Sequence, residues 1–516
     1  MKKFKLCFIF LLTFAFAFAL VACAEGGADD ADFATAEELI AKAAANESSS
    51  SSSQEYEVTG TPNFTVPTGG YDGSAVEITF YHTMGSNLSD VLHLYIEDFQ
   101  KLYPNITVKD EQVGGYDDVR NQISTEITVG NQPNIAYCYP DHVALYNLAG
   151  AVAHLDNLIN SQEVVTDSEG NTQILGLNDE QKADFIEGYY NEGRQFGDGL
   201  MYTMPFSKST EVLYYNKTFF EEHEIKVPTH WFSTSEDDDT SMEAVCKKCL
   251  AADPDCVPLG YDSEANWFIT MCEQIGSDYT SAGSDHYKFD NNYNKGFVKI
   301  FRDWYQSGYV TTQTLYGAYT SGLFVAEKGT RSYMSIGSSA GATHQRPSKV
   351  TVTDDEGKEK SVYPFEVGIA SIPQMNANNP RVISQGPSVC IFGKANPQEV
   401  IASWLFVKFL VTSVEFQAEF SMVSGYVPVL KSVAENAEYA KFLNKADGGD
   451  YIAALSAKVC LEQQSAYYTS PAFNGSSKAR DQVGALIPAI FAEQTDNINK
   501  AINKAFADAI YECQYN

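Results

Sequence analysis

Apolar and polar positions in this chain recur with two periods, and each change of period marks an element. Residues 76–81 (VEITFY) alternate inward and outward and predict a strand. Leu88, Val91, Leu92, Tyr95, Ile96, Phe99 and Leu102 then recur at helical spacing, and Pro104-Asn105 ends the run. Ile106-Thr107-Val108 predicts a second strand. Residues 116–129 predict a second helix, opened by Gly114-Gly115 with Asp117 and Asp118 in its first turn. Residues 135–139 predict a third strand and 141–148 a further helix. Strand and helix in alternation predict an α/β unit with a largely parallel sheet.

One stretch breaks the pattern. Ser207, Lys208, Ser209, Thr210 and Glu211 form a polar run directly after Pro205-Phe206, and Val212 to Tyr215 then read as a buried strand. A polar run entering a buried strand has to be hydrogen-bonded, hydrated or turned toward a ligand. A strand crossing a cleft between two lobes meets that requirement; a loop leading into an ordinary core strand is the plainer alternative.

The N-terminal residues read as targeting. Lys2, Lys3 and Lys5 precede an apolar run over 6–22, the pattern of a secretory signal. Leu20-Val21-Ala22-Cys23 resembles the lipobox of bacterial lipoproteins, which implies cleavage before Cys23 and lipid on that residue. The run approaches the roughly 17-residue lower limit for a membrane span, but its lysine flank and the polar 24–32 favour an anchor. Residues 23–75 then read as a lipidated cysteine and a flexible, acidic and serine-rich tether. A short helix around Leu39-Ile40 is compatible with 34–45, with too little apolar surface to make a core.

The formal charge is −32, and loss of the three leader lysines makes it −35. That speaks against nucleic acid and against anionic lipid surfaces as partners. The roughly 440 residues after the tether suit two lobes better than one. Cys246, Cys249, Cys256 and Cys272 form the one cysteine cluster. No histidine joins them at zinc spacing, so unpaired thiols are expected, with a disulfide the next reading.

The stretch ITFYHTMGSNL with PNITV after it resembles the opening of family 1 extracellular solute-binding proteins of ABC importers. Further matches follow in order: GNQPNIAY, then GLMYTMPFSKSTEVLYYNKTFFEE with Val227-Pro228-Thr229-His230-Trp231, then Ile383 to Ser388. Trp404 to Leu410 leading to Ser424-Gly425-Tyr426-Val427-Pro428 completes the set. The resemblance implies an α/β, two-lobed periplasmic-binding-protein-like fold of type II, hinged on crossing segments near 207–211, near 383–388 and shortly after Pro428. Lobe 1 would comprise 76–208, completed by about 388–432, and lobe 2 would comprise 209–387, completed by about 433–516. Residues 164–175, 233–258 and 350–363 depart from the family pattern as insertions. Asp290-x-Asn292-x-Asn294 has the start of a calcium loop, but Lys295 stands where glycine is needed and Phe301 where a bidentate glutamate belongs. A helix cap is therefore expected there.

Recognition of a hydroxylated solute needs aromatic faces, hydroxyls and charge pairs on loops at strand ends. His82 and Thr83 close the first strand, Tyr116 opens a helix, and Tyr139 and Asp141 end the third strand. Ser209 and Thr210 lie on the first crossing, Gly386 on the second, and Trp267 offers a stacking face. By resemblance the set looks most like the glycerol-3-phosphate-binding branch. There Tyr116, Ser209, Ser338 or Ser339, Gly386, Tyr426 and Arg480 fall at ligand-lining places. That branch carries a glutamate directly after the third-strand tyrosine; here Pro140 stands there and Asp141 follows. The expected ligand is a sugar or a polyol phosphate, with an ABC permease and ATPase as partners. The chain is expected to be monomeric and lipid-anchored outside the cytoplasm, without cofactor or metal. A secreted hydrolase is the competing class, but no His-Glu-x-x-His or phosphate-loop motif is present. A sensor or adhesin reusing the fold is the third.

Overall fold

Val76, Ile78 and Phe80 are buried on alternate positions of the Val76–His82 strand, an inner strand of the first sheet. The computed structural model describes residues 33–46, 57–281, 284–353, 357–445 and 451–515. The leader, Cys23 and Asp354 to Glu356 lie outside them. In the first sheet the strand order is Ile106–Gln112, Val76–His82, Ile135–Cys138, Ser388–Ile391, Met204–Pro205. Val76 pairs with Ile106 and Phe80 with Ile135, both in parallel register. The 388–391 strand alone runs the other way, Val389 opposite Tyr137, because the chain re-enters there from the second sheet rather than through a helical crossover.

The second sheet has the order Val367–Ser371, Glu211–Asn216, Met334–Ser338, Leu259–Tyr261, Val310–Thr312. Helices Glu264–Ile275, Asn292–Gln306 and Ser476–Ala492 pack together on this side. Helices Ser86–Leu102, Pro397–Val411 and Val414–Ser424 cover the first sheet. The result is the two-lobed α/β arrangement that the sequence predicts.

Three segments cross between the sheets and are stitched to one another. Lys208 N–H donates to the Val427 carbonyl at 3.0 Å, and Val427 N–H returns a bond at 2.6 Å. Ser209 and Gln385 exchange a second pair at 2.9 and 2.8 Å. Gly386 makes this possible: its φ is +89°, and a Cβ there would lie 2.5 Å from the Ser207 carbonyl oxygen.

The tether expectation needs correcting. Ala36–Ala44 is a helix with a Thr35–Glu38 capping box, and Leu39 and Ala43 are fully buried against the 264–275 and 292–306 helices. Its small apolar face suffices because it completes an existing core instead of building one. A Cβ on Gly296 would lie 2.3 Å from the Ala34 carbonyl oxygen, so the second lobe carries a seat for this segment. Further on, Asn63 exchanges bonds with His154 N–H and the Val152 carbonyl, both at 2.8 Å. Gly69 N–H donates to Glu163 at 2.7 Å. Residues 59–70 are thereby fixed to the first lobe.

The described residues of the insertions form regular elements. Residues 164–166 and 172–174 form a hairpin, held by Lys408 Nζ on the Ile174 carbonyl at 2.7 Å and Trp404 Nε1 on the Leu175 carbonyl at 2.8 Å. Residues 350–353 and 359–362 form an exposed hairpin. Within 233–258 lies the helix Met242–Ala252. It buries the free thiols of Cys246 and Cys249, and burial pushes both pKa values up. Asn291 caps the 292–306 helix, and Asp290 pairs with Lys295 at 2.6 Å.

Candidate functional site

The short strands Val382–Ile383 and Tyr467–Tyr468 pair in parallel. Parallel partners end on the same side, so the two loops that follow, 384–386 and 469–471, emerge together. They form one wall of a cavity of about 90 Å³ between the sheets. Tyr139 and Asp141 enter from the end of the first sheet, Arg480 from the 476–492 helix of the second lobe, and Gln385 and Gly386 from a crossing segment. Asp141 also borders an outer chamber of about 630 Å³ that carries Arg120, Tyr287, Lys478 and Asp481.

Three hydroxyls at the inner cavity, on Thr280, Ser384 and Ser470, are buried and have no hydrogen-bond partner among the described residues. A buried hydroxyl without a partner costs about 1–3 kcal/mol, so these groups are suited to the oxygens of a polar solute. Glu192 also reaches the cavity, and it is 3% exposed. Lys208 Nζ holds it at 2.7 Å and bonds Ser388 Oγ at 3.1 Å. Arg480 donates to Asn266 Oδ1 from behind the cavity wall. Asn266 Nδ2 in turn donates to Glu211 Oε1 at 2.9 Å.

An aromatic wall backs Tyr139. Its ring stacks on Tyr116 with centroids 4.4 Å apart and planes 27° apart, and the hydroxyls of Tyr116 and Tyr426 lie 3.4 Å apart. Burial raises the pKa of all three phenols, which keeps them neutral donors. Across the mouth, Arg120 on the Tyr116–Ile127 helix donates to Ser477 Oγ at 2.8 Å, joining the two lobes.

The expected site residues therefore divide. Tyr139, Asp141, Gly386 and Arg480 line the cavity, and Tyr116 and Tyr426 stand behind Tyr139. Ser209, Thr210, Ser338 and Ser339 belong to the crossing framework. Thr210 Oγ1 donates to the Ile383 carbonyl at 2.7 Å, Ser339 Oγ accepts from Thr210 N–H at 3.2 Å, and Ser338 Oγ accepts from Ala340 N–H. His82 is withdrawn from the cavity. It is fully buried, with Nε2 3.2 Å from Asp110 and Nδ1 accepting from Met84 N–H at 3.1 Å. Thr83 is absent from the cavity lining. Trp267 is a core residue rather than a stacking platform. Tyr261 covers one face at 4.7 Å and Phe301 another at 4.2 Å, leaving no face for a ligand.

Glu192, Thr280, Ser384 and Ser470 went unmarked in the sequence. Only the Ser384-Gln385-Gly386 run, inside a family motif, offered a signal. Among the described residues no group of three His, Cys, Asp or Glu side chains is placed to hold a metal ion, and no helix is long and apolar enough to cross a membrane.

Residues 95–445 match a family model described as bacterial extracellular solute-binding protein. No curated protein matches the chain significantly. Among solved structures, UgpB from Mycobacterium tuberculosis in complex with glycerophosphocholine is similar at TM-score 0.62 and 18% identity. That match covers 86% of this chain and 98% of the other. Maltose-bound MalE3 of T. maritima gives 0.62 and 16%, covering 85% and 100%. The GacH receptor of Streptomyces glaucescens, described unliganded and with acarbose, gives 0.61 and 15%, covering 86% and 100%.

Proposed function

The chain belongs to the bacterial extracellular solute-binding proteins, and on that premise we propose that it is the receptor of an ABC importer for a carbohydrate or a polyol phosphate. The observation that carries this reading is the convergence of side chains from both lobes on one cavity. Tyr139 and Asp141 come from the first lobe, Arg480 from the second, and Ser384 from a crossing segment, with three buried hydroxyls that have no partner among the described residues. Hydroxyls, a carboxylate and a guanidinium suit the paired oxygens of a sugar or a phosphate. Tyr139 offers an apolar ring face.

Contacts drawn from both lobes favour the closed arrangement, so the solute would shift the protein toward closure and present it to a membrane permease with its ATPase. We place the lobe boundaries at the crossing segments and read the protein as a monomer held outside the cytoplasm by lipid on Cys23. The glycerophosphocholine and maltose bound by structural relatives make the first probes.

The test is calorimetric titration of the mature protein with glycerol 3-phosphate, glycerophosphocholine and a maltodextrin series. Saturable, one-to-one binding of at least one member is expected, with X-ray scattering showing compaction. Folded protein that binds no member of a broad sugar and polyol phosphate panel overturns the reading.

A further inference from the structure

Behind Arg480 stands a directional chain of hydrogen bonds that uses no ligand. A guanidinium only donates, so Asn266 must turn its Oδ1 toward Arg480 and its Nδ2 the other way. Nδ2 meets Glu211 Oε1 at 2.9 Å, and Glu211 Oε2 accepts from the Tyr261 hydroxyl at 2.6 Å. Glu211 is 1% exposed and Asn266 2%. Glu211 is also the first residue of the second-lobe strand that leaves the crossing, and its carbonyl accepts from Gln463 Nε2 at 3.2 Å.

We infer that Glu211, acting through Asn266, is the positioning residue and counter-charge of Arg480, and that it makes uptake of an anionic ligand group proton-linked. The inference rests on the reading of the Arg480 cavity as the ligand site. With Glu211 ionised, the positive charge of Arg480 is partly matched inside the protein, which suits neutral hydroxyls. With Glu211 protonated, its share of the Arg480 charge is released toward a phosphate, leaving Asp141 and Asp481 as the remaining carboxylates near the guanidinium. An anion arriving at Arg480 therefore draws a proton onto Glu211.

The groups facing Glu211 are the Tyr261 phenol, Asn266, Arg480, the Tyr468 phenol and Asp262. Asp262 is itself occupied by Thr320 N–H and Oγ1, both at 2.7 Å. Burial pushes the Glu211 carboxyl up to about 7, within reach of ordinary titrations.

Two arms test this on the mature chain. In the first, glycerophosphocholine and maltotriose are titrated at pH 5.5 and 8.5; the phosphodiester keeps one charge across that range, so its own ionisation does not intervene. Wild type should bind glycerophosphocholine about tenfold tighter at the lower pH, as one unit of linked shift implies, with proton uptake measurable between two buffers. Maltotriose should bind equally at both. Glu211→Gln should lose the pH dependence, a result that a purely structural role does not produce. An identical profile in wild type and Glu211→Gln overturns the inference.

The second arm needs no ligand. Carboxyl carbon NMR of glutamate-labelled protein should show the Glu211 pKa rising in Arg480→Ala and in Asn266→Ala. An unchanged value overturns the coupling even if a ligand binds. A raised value with neither probe bound leaves the coupling standing and counts against the choice of ligand.

Discussion

Lys208 Nζ lies 2.7 Å from Glu192 Oε1, with side-chain exposures of 0% and 3%. The pair sits where the first crossing segment passes Gly386 and Ser388, and the carboxylate is also at the cavity wall. Breaking such a pair from one side leaves a buried charge alone, at a cost of about 3–5 kcal/mol. Glu192→Ala should therefore destabilise the protein by about that amount in urea unfolding. The double replacement Glu192→Leu with Lys208→Met should recover part of the loss. A loss for Glu192→Ala as small as for a surface change would show that the pair is solvated.

Arg480→Ala removes a charged donor at the cavity and leaves the lobes otherwise packed. Affinity for the ligand identified by titration should fall by about 1.5–3 kcal/mol, or tenfold to more than a hundredfold. The melting temperature should move by only a few degrees. Unchanged affinity by calorimetry would place Arg480 outside the site.

Burial pushes the Glu273 carboxyl up to about 7, against the opposing pull of Arg381. The raised folded pKa means that the native state holds the proton longer than the unfolded chain does. Its favourable contribution is complete below about 4.5 and is lost as pH rises through 7. Glu273→Gln should therefore gain stability relative to wild type between pH 5 and pH 8, read as a widening difference in melting temperature. A constant difference would refute it.

Leu39 is fully buried beneath the 264–275 and 292–306 helices. Leu39→Ala should cost about 2–5 kcal/mol and expose the 36–44 helix to limited proteolysis. A loosely attached segment would make the same change silent in both assays.

Much of the fold was legible because local signals and tertiary demands agree. Val76 to Phe80 alternate as a strand should, and Gly114-Gly115 opens the 116–127 helix where expected. The polar run Ser207 to Glu211 was legible as a crossing because its polar groups had to be satisfied somewhere. Most are, by Gln385, Val427, Ile383, Glu192, Tyr261 and Asn266, while the buried Ser207 hydroxyl has no partner among the described residues. The site was only half legible. His82 ends a strand as a ligand group would, yet its ring is taken by Asp110, which the neighbouring parallel strand brings alongside. Trp267 follows a polar triplet, yet helical phase turns it inward between Tyr261 and Phe301. Glu192 had no local mark, since its position depends on Lys208 arriving from a different part of the chain.

The N-terminal segment is fastened to one lobe up to Asn46, through Glu273 and Asn379, and to the other from Thr59 onward, through Asp198. A fully extended peptide gains about 3.5 Å per residue, so these moorings can part by no more than about 45 Å while both hold. The molecule carries its own leash, and for as long as both moorings hold its widest gape is bounded by the covalent length between them.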